Sequence, residues 1–564
     1  MNTTAAVLAE APAPFPVRPP ETVSMRARDG ARLDADVYRP DAAGSWPVLL
    51  LRVNCGRRTA QNSHYAHPRW YASRGYVVAV QDVRGCGTSE GRFRPFQAER
   101  EDGADAVAWA ATLPGSSGVV GMYGCGYAGM AQLLALAGQP EGKAPQALRA
   151  VAPALAGWDI FSDWAYEGGA FRLAEAMEWA LRCGAEAARR VEDGAAYRGL
   201  LKAVRDLPLN DEIPSRPRVL REYARHTHYD DWLTTPGPGG EWDDHSPAAR
   251  LRGSPAGVPV LQIGGWFDGR LGGTLDAHAA FSSAFGAPAR LVVGPWMAGG
   301  WHLPAGEPEA PDERPSIDAL QLAWFDRFLK GIDNGADREP PVRLHDLAAG
   351  RWRGLPVLPE PNAEFHLGGD GMSATHGDGG RLAPEPPSTP GVDALVHDPR
   401  LPVPSLGGHT APCPGLHDRA ALDARPDVAV YDTAPLAKAL PLAGRVALEL
   451  CVEADAPSFD VNAVLSMVRP DGRALPLTSG HVRVEPGAPT RPLSIPMRAA
   501  CATLEPGCRL RLSLAGSSFP AHPVNPGTGA EPGETRLVDA LPVTLLIHTG
   551  GPRASRLRLA LAEG

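Results

Sequence analysis

The chain has 564 residues, with 55 basic and 64 acidic side chains and a net charge of -9. That length is enough for two or three domains, each with its own core. Charge dispersed along the chain rather than blocked excludes the electrostatic footprint of a nucleic-acid binder. No run of about 18 or more apolar residues exists, so no membrane partner is expected.

In chain order, residues 1–20 are rich in alanine and proline and read as a disordered leader without the basic region of a secretion signal. A first strand is expected near Val23. Val77–Gln81 reads as a buried strand, followed by the loop Asp82-Val-Arg-Gly-Cys-Gly-Thr-Ser-Glu-Gly91 and an acidic helix over Glu99–Leu113. Val119–Tyr123 is a short strand and Gly129–Ala137 a helix, with the glycines of Gly121-Met-Tyr-Gly-Cys-Gly-Tyr-Ala-Gly129 in the turn between them. Strand, tight turn and helix make a hydrolase nucleophile elbow, but Gly126 stands where its serine belongs. A helical pattern follows over Phe171–Leu181. After about Pro340 short apolar runs such as Arg445–Val452 and Val461–Val468, separated by proline and glycine, predict the strands of a sandwich. The interval Asp370–Gly391 reads as an irregular loop or linker.

These segments resemble the family of cocaine esterase and the X-prolyl dipeptidyl peptidases. The resemblance also rests on Gly265-Trp-Phe-Asp-Gly269, Leu291–Trp296, Trp324–Gly331, Pro402–Gly408 and Ser517–Pro520. It implies an α/β fold: an α/β-hydrolase domain over residues 21–156 and 255–340, a helical cap over 157–254, and a C-terminal jelly-roll β-sandwich over 341–564. It further implies a serine, histidine and aspartate triad with an oxyanion tyrosine. Only Asp268 remains of these. Gly126 replaces the serine, Ala298 stands after Gly294-Pro-Trp in place of the histidine, and Cys55 replaces the tyrosine.

The resemblance implies that Cys55, Cys86 and Cys125 fall in the three loops that should surround the vacated site. They lack the C-x-x-C or H-x-x-x-H spacing of a metal centre, so no metal is expected, and they read as small apolar lining. Eight cysteines without a compact spacing do not suggest a disulfide framework, and a cytoplasmic location follows. Trp158, Trp164, Tyr166, Trp266, Phe267 and Trp296, with Met297, Gly126, Tyr127 and Ala298, are the candidate lining of a pocket for a flat aromatic small molecule. No dinucleotide, phosphate-loop or haem motif occurs, so no cofactor is implied. A homodimer is compatible with the sequence.

The lost triad and the aromatic pocket lead to the expectation of a non-hydrolytic biosynthetic enzyme, a cofactor-independent oxygenase joining dioxygen to an electron-rich polycyclic substrate. Asp268 or His302 would deprotonate a phenol, and the backbone amide of Tyr127 would hold an oxyanion. Asp268 would need burial to raise its pKa for that task. Two alternatives stand beside it: an esterase or amidase whose nucleophile is rebuilt from Cys125 with His302 or another histidine, and a dead enzyme kept for binding or resistance.

Overall fold

The computed structural model describes residues 15–60, 64–139, 143–252, 257–283, 287–297, 300–301, 316–375, 379–410, 412–487, 492–530 and 533–562. Ten strands form one sheet: β1 (Glu21–Arg26), β2 (Arg32–Tyr38), β3 (Trp46–Val53), β4 (Val77–Asp82), β5 (Ser116–Cys125), β6 (Leu148–Ala154), β9 (Val260–Phe267), β10 (Ala289–Met297), β11 (Val342–Asp346) and β12 (Arg351–Leu355). The spatial order is β1-β2-β4-β3-β5-β6-β9-β10-β11-β12. The strands from β4 to β11 run parallel, and the outer ones pair antiparallel. All residues of β4 and β9 are buried, as in a parallel sheet covered on both faces, which is why these segments read as unbroken apolar runs.

The register aligns the strand ends. Val53 lies opposite Asp82, Cys125 opposite Ala154, and Phe267 opposite Met297. Every loop leaving these strands therefore opens on the same carboxyl edge, where α/β sheets bind ligands. The loop after β4 keeps its shape through Gly87, whose φ is +51° and whose added Cβ would fall 2.0 Å from the Asp82 carboxylate. The helix Glu99–Ala111 and the elbow helix Tyr127–Leu136 cover one side; all ten residues of the latter are buried.

Between β6 and β9 the chain leaves the sheet as a cap. It contains a small hairpin, β7 (Tyr166–Glu167) and β8 (Ala170–Phe171), the helices Leu173–Arg190 and Gly194–Arg205, and short helical turns. The longer helix buries Leu173, Ala176, Met177, Ala180, Leu181, Gly184 and Ala188, an apolar stripe at helical spacing. Asp193 caps the next helix by accepting the Ala196 amide at 3.1 Å.

The C-terminal unit contains a nine-stranded and a three-stranded sheet. Leu440–Leu450 pairs with both Leu493–Leu504 and Arg556–Leu561, and Phe459–Val468 with both Ala474–Val484 and Arg509–Ala515. In Val543–Thr549 alternate residues are buried, the period-2 pattern of a one-sided strand.

Two expectations need correction. The interval 370–391 holds a strand, Gly380–Ala383, whose pairing with Ala363–Gly369 supplies backbone partners that its composition does not reveal. The expected leader is shorter than 20 residues: Phe15 packs against Trp46 at 4.9 Å, and its amide donates to Ser73 O at 2.7 Å. Residues 1–14 lie outside the described residues. No helix among the described residues is long and apolar enough to cross a membrane.

Candidate functional site

Gly126 adopts φ 57° and ψ -119°, outside the basins open to L-residues, between the end of β5 and the first turn of the elbow helix. Its amide donates to Ala154 O at 2.9 Å, and its carbonyl accepts from Gly129 N and Met130 N, both at 3.0 Å. The amides of Tyr127 and Ala128 lie in the first turn of the helix, where N–H groups lack an intrahelical partner. A Cβ built on Gly126 would meet nothing within 4 Å. The backbone thus keeps the strained presentation of a nucleophile, with open space where the side chain would stand.

Next to the elbow lies a cavity of about 530 Å³. Cys55, His64 and Tyr65 line it from the loop after β3, Cys125, Tyr127 and Ala128 from the elbow, and Trp179, Cys183, Glu186 and Tyr197 from the cap. Burial pushes the Cys125 thiol up to about 12; nearby Cys55 acts in the same direction, and the Arg270 guanidinium opposes. Burial also raises Cys183 to about 12. At neutral pH both are thiols, not thiolates. The Tyr127 ring stacks on Phe96 at 4.9 Å, and its hydroxyl donates to Glu99 at 2.8 Å. Glu99 in turn pairs with the fully buried Arg52.

Asp268 follows β9 at the same edge and is fully buried. Its Oδ1 accepts the Arg270 amide at 2.8 Å, and Oδ2 lies 3.4 Å from Arg270 Nη2. Burial raises the carboxyl above its ordinary value, against the pull of Arg270. Arg270 also pairs with Glu175, donates to Leu155 O at 3.2 Å, and sits 4.5 Å over the Trp164 ring. The Asp268 carboxylate is therefore engaged by a guanidinium. The Gly269 carbonyl accepts from Arg172 at 3.0 Å and from Arg498 at 2.8 Å. Arg498 reaches Glu167 of the cap hairpin at 2.6 Å, so the core, the cap and the C-terminal unit meet at this loop.

Of the residues expected at the site, the structure brings Cys55, Cys125 and Tyr127 to the cavity wall beside Gly126. The other aromatic residues expected at the site make contacts of their own. Trp266 and Phe267 sit in β9, with Trp266 Nε1 donating to His345 O at 2.8 Å. Trp296 packs on Trp301 and Trp352, and Met297 is half-buried at the end of β10. Trp164 Nε1 donates to Ala156 O at 3.0 Å, the Tyr166 hydroxyl donates to Trp232 O at 3.0 Å, and Trp158 packs against Phe281. Cys86 is in the core, its thiol raised by burial. Ala298 and His302 lie outside the described residues.

Sequence reasoning missed Trp179, Cys183, Tyr197, His64 and Tyr65. Trp179 lies within the recognised helical pattern, but only cap packing decides which of its faces meets the elbow. His64 and Tyr65 belong to no motif. All eight cysteines are free, and no group of three or more metal-ligating side chains occurs among the described residues.

Residues 29–297 match the model of the X-Pro dipeptidyl-peptidase (S15 family), and residues 334–558 that of the X-Pro dipeptidyl-peptidase C-terminal non-catalytic domain. The cocaine esterase of Rhodococcus sp. (strain MB1 Bresler) is 30% identical across 96% of this chain and 98% of its own length. A putative serine esterase of Mycobacterium bovis (strain ATCC BAA-935 / AF2122/97) is 26% identical, covering 95% and 94%. An aminopeptidase from a marine sediment Thaumarchaeota archaeon superimposes with a TM-score of 0.77 at 19% identity, covering 100% and 99%. An α-amino acid ester hydrolase gives 0.74 at 20% identity, covering 99% and 98%. At these identities the two structures show the fold alone.

Esterases as full-length relatives, together with the match to the X-Pro dipeptidyl-peptidase model, overturn the expectation of a cofactor-free oxygenase, and with it of an oxidoreductase in natural-product biosynthesis. Trp164, Tyr166, Trp266, Phe267 and Trp296 are buried, and the Asp268 carboxylate is paired with Arg270.

Proposed function

Because this chain belongs to the cocaine esterase and S15 X-Pro dipeptidyl-peptidase family, we propose that it cleaves an ester or amide bond of a small substrate whose acyl group enters the elbow cavity, with Cys125 as nucleophile. The observation that carries this reading is the position of Cys125: it lines the cavity at the elbow, beside two unsatisfied helix amides, while position 126 has no side chain.

The thiol sulfur attacks the carbonyl carbon as its proton passes to a base, and the carbonyl oxygen turns toward the amides of Tyr127 and Ala128. The alcohol or amine leaves with that proton, and water then hydrolyses the thioester to the acid and regenerates the thiol. A thiol near pKa 12 needs a base to react at neutral pH. His64 lines the same cavity and is the base assigned here, with His302 the other candidate. Arg270 favours the thiolate as it forms.

The test is hydrolysis of p-nitrophenyl esters by the wild type, Cys125→Ala and His64→Ala. Loss of turnover in Cys125→Ala, and blockage of wild-type turnover by iodoacetamide, support the reading; turnover unchanged in Cys125→Ala overturns it. The engagement of Asp268 by Arg270 favours a second reading, capture of the ligand without turnover. It is adopted if esters quench the tryptophan fluorescence while no product forms. Eight unpaired thiols support a reducing compartment, and cell fractionation checks the cytoplasmic assignment.

A further inference from the structure

A second cavity, of about 350 Å³, lies where the cap meets the loop after β4. It shares Cys183 with the elbow cavity, but none of its other lining residues belongs to that site. Its volume suits one small ligand.

Aromatic side chains form part of the wall, and one of them holds an unsatisfied polar atom. Trp232 and Trp242 are buried, with ring centroids 5.6 Å apart and planes at 64°. His228, only 9% exposed, is wedged between Trp179 and Trp232, each at 4.8 Å. Its Nε2 is buried and has no hydrogen-bond partner among the described residues. A buried polar atom left in that state is unfavourable, and a ligand hydroxyl would satisfy it. Burial pushes this imidazole down to about 3, so it meets a ligand neutral, as one donor and one acceptor.

The remaining walls carry charge of both signs. Arg92 and Arg94 come from the loop after β4, and Asp231 and Glu241 from two short cap helices. Arg92 donates to Arg225 O at 2.8 Å, and the side chains of Arg94, Asp231 and Glu241 make no ion pair or hydrogen bond among the described residues. Two guanidinium groups and two carboxylates on an aromatic cavity match a ligand that carries both charges beside a ring.

We propose that this cavity binds a zwitterionic hydroxyaromatic molecule of the size of one amino acid. Its ring lies against Trp232 and Trp242 with the ring hydroxyl at His228 Nε2, its carboxylate faces Arg92 and Arg94, and its ammonium faces Asp231 and Glu241. The site is independent of the reaction assigned to the elbow.

Isothermal titration of the full-length protein with L-tyrosine, L-phenylalanine, tyramine and 3-(4-hydroxyphenyl)propionate tests it. L-Tyrosine binds tightest, and each analogue lacking the hydroxyl, the carboxylate or the ammonium binds about tenfold more weakly, the worth of one charge-assisted or buried hydrogen bond. Arg94→Ala weakens L-tyrosine but leaves tyramine unchanged, and Glu241→Ala weakens L-tyrosine but leaves the propionate unchanged. Both side chains are exposed, so neither variant endangers folding. Absence of binding by all four probes overturns the proposal. So does binding that ignores both substitutions, or binding that is lost when Cys125 is alkylated yet indifferent to Arg94→Ala and Glu241→Ala, which places the ligand in the elbow cavity.

Discussion

The nucleophile side of the carboxyl edge and its acid side have diverged. At the elbow, strand, turn and helix are intact, yet the position that should act holds a hydrogen atom, and Cys55 occupies the expected tyrosine position. At the end of β9, Asp268 sits inside a dense polar lattice: Arg270 on its carboxylate, Arg172 and Arg498 on the next carbonyl, Glu167 joining them. The difference teaches that Asp268 belongs to an assembly of buried charges that ties three parts of the molecule together. Removing a serine hydroxyl from an open cavity costs a fold little, whereas removing one member of a buried charge lattice strands its partners.

The largest effect is therefore expected away from the elbow. Arg498→Ala leaves Glu167 without its 2.6 Å partner in a buried setting and should cost about 3–5 kcal/mol, read as a fall in denaturation midpoint. A loss under 1 kcal/mol would mean that the lattice is not what holds the acid loop.

Ester turnover should move in the opposite pattern. Cys125→Ala lowers kcat/KM by about 100-fold or more while leaving the denaturation midpoint within about 1 kcal/mol. If the elbow is a scaffold intact except for its side chains, Gly126→Ser combined with Ala298→His raises turnover in a Cys125→Ala background. The serine pays about 1–3 kcal/mol for φ 57° and meets no steric obstacle. A triple variant that stays folded but inactive would show that the backbone alone does not preserve the site.

Acid provides a graded test of the buried histidines. Burial lowers His409 to about 4, His278 to about 4 and His228 to about 3, from an ordinary 6.5. In the window from pH 6.5 down to about 4 the unfolded chain binds protons that the folded chain refuses. Stability is therefore full above pH 6.5 and declines as pH falls through that window. Below it, Glu167 adds to the loss, because Arg498 and Arg172 hold its carboxyl well below the usual range despite burial. Thermal unfolding measured from pH 7.5 to 4 should show a monotonic fall, and a flat profile over that range would contradict it.

The smallest effect separates core from contact. Tyr166→Phe removes the hydrogen bond to Trp232 O and should cost about 1 kcal/mol with no change in the KM for esters. A raised KM would place Tyr166 at the ligand site.

The fold was legible because its signals are local. Parallel strands buried on both faces read as apolar runs, and Gly87 and Gly126 mark turns whose backbone angles other residues rarely adopt. The vacancy at position 126 was legible for the same reason, since it lies inside a nine-residue motif with a fixed strand, turn and helix around it. The cavity wall was not legible to that degree. Trp164, Tyr166 and Trp266 stand in or beside recognised motifs but turn their polar atoms to backbone carbonyls. Trp179 reaches the cavity only because the apolar stripe of its helix sets the roll of the cap.

The sequence by itself determined the hydrolase architecture and the glycine-rich turn around Gly126, carried by residues within short stretches. Tertiary structure alone decided what those residues face: Arg498 meets the Gly269 carbonyl across 229 residues of chain, and Cys183 arrives between two cavities on a cap helix. The period of a segment specifies which residues share a face; it does not specify what that face packs against, because that is set by packing between elements distant in the chain.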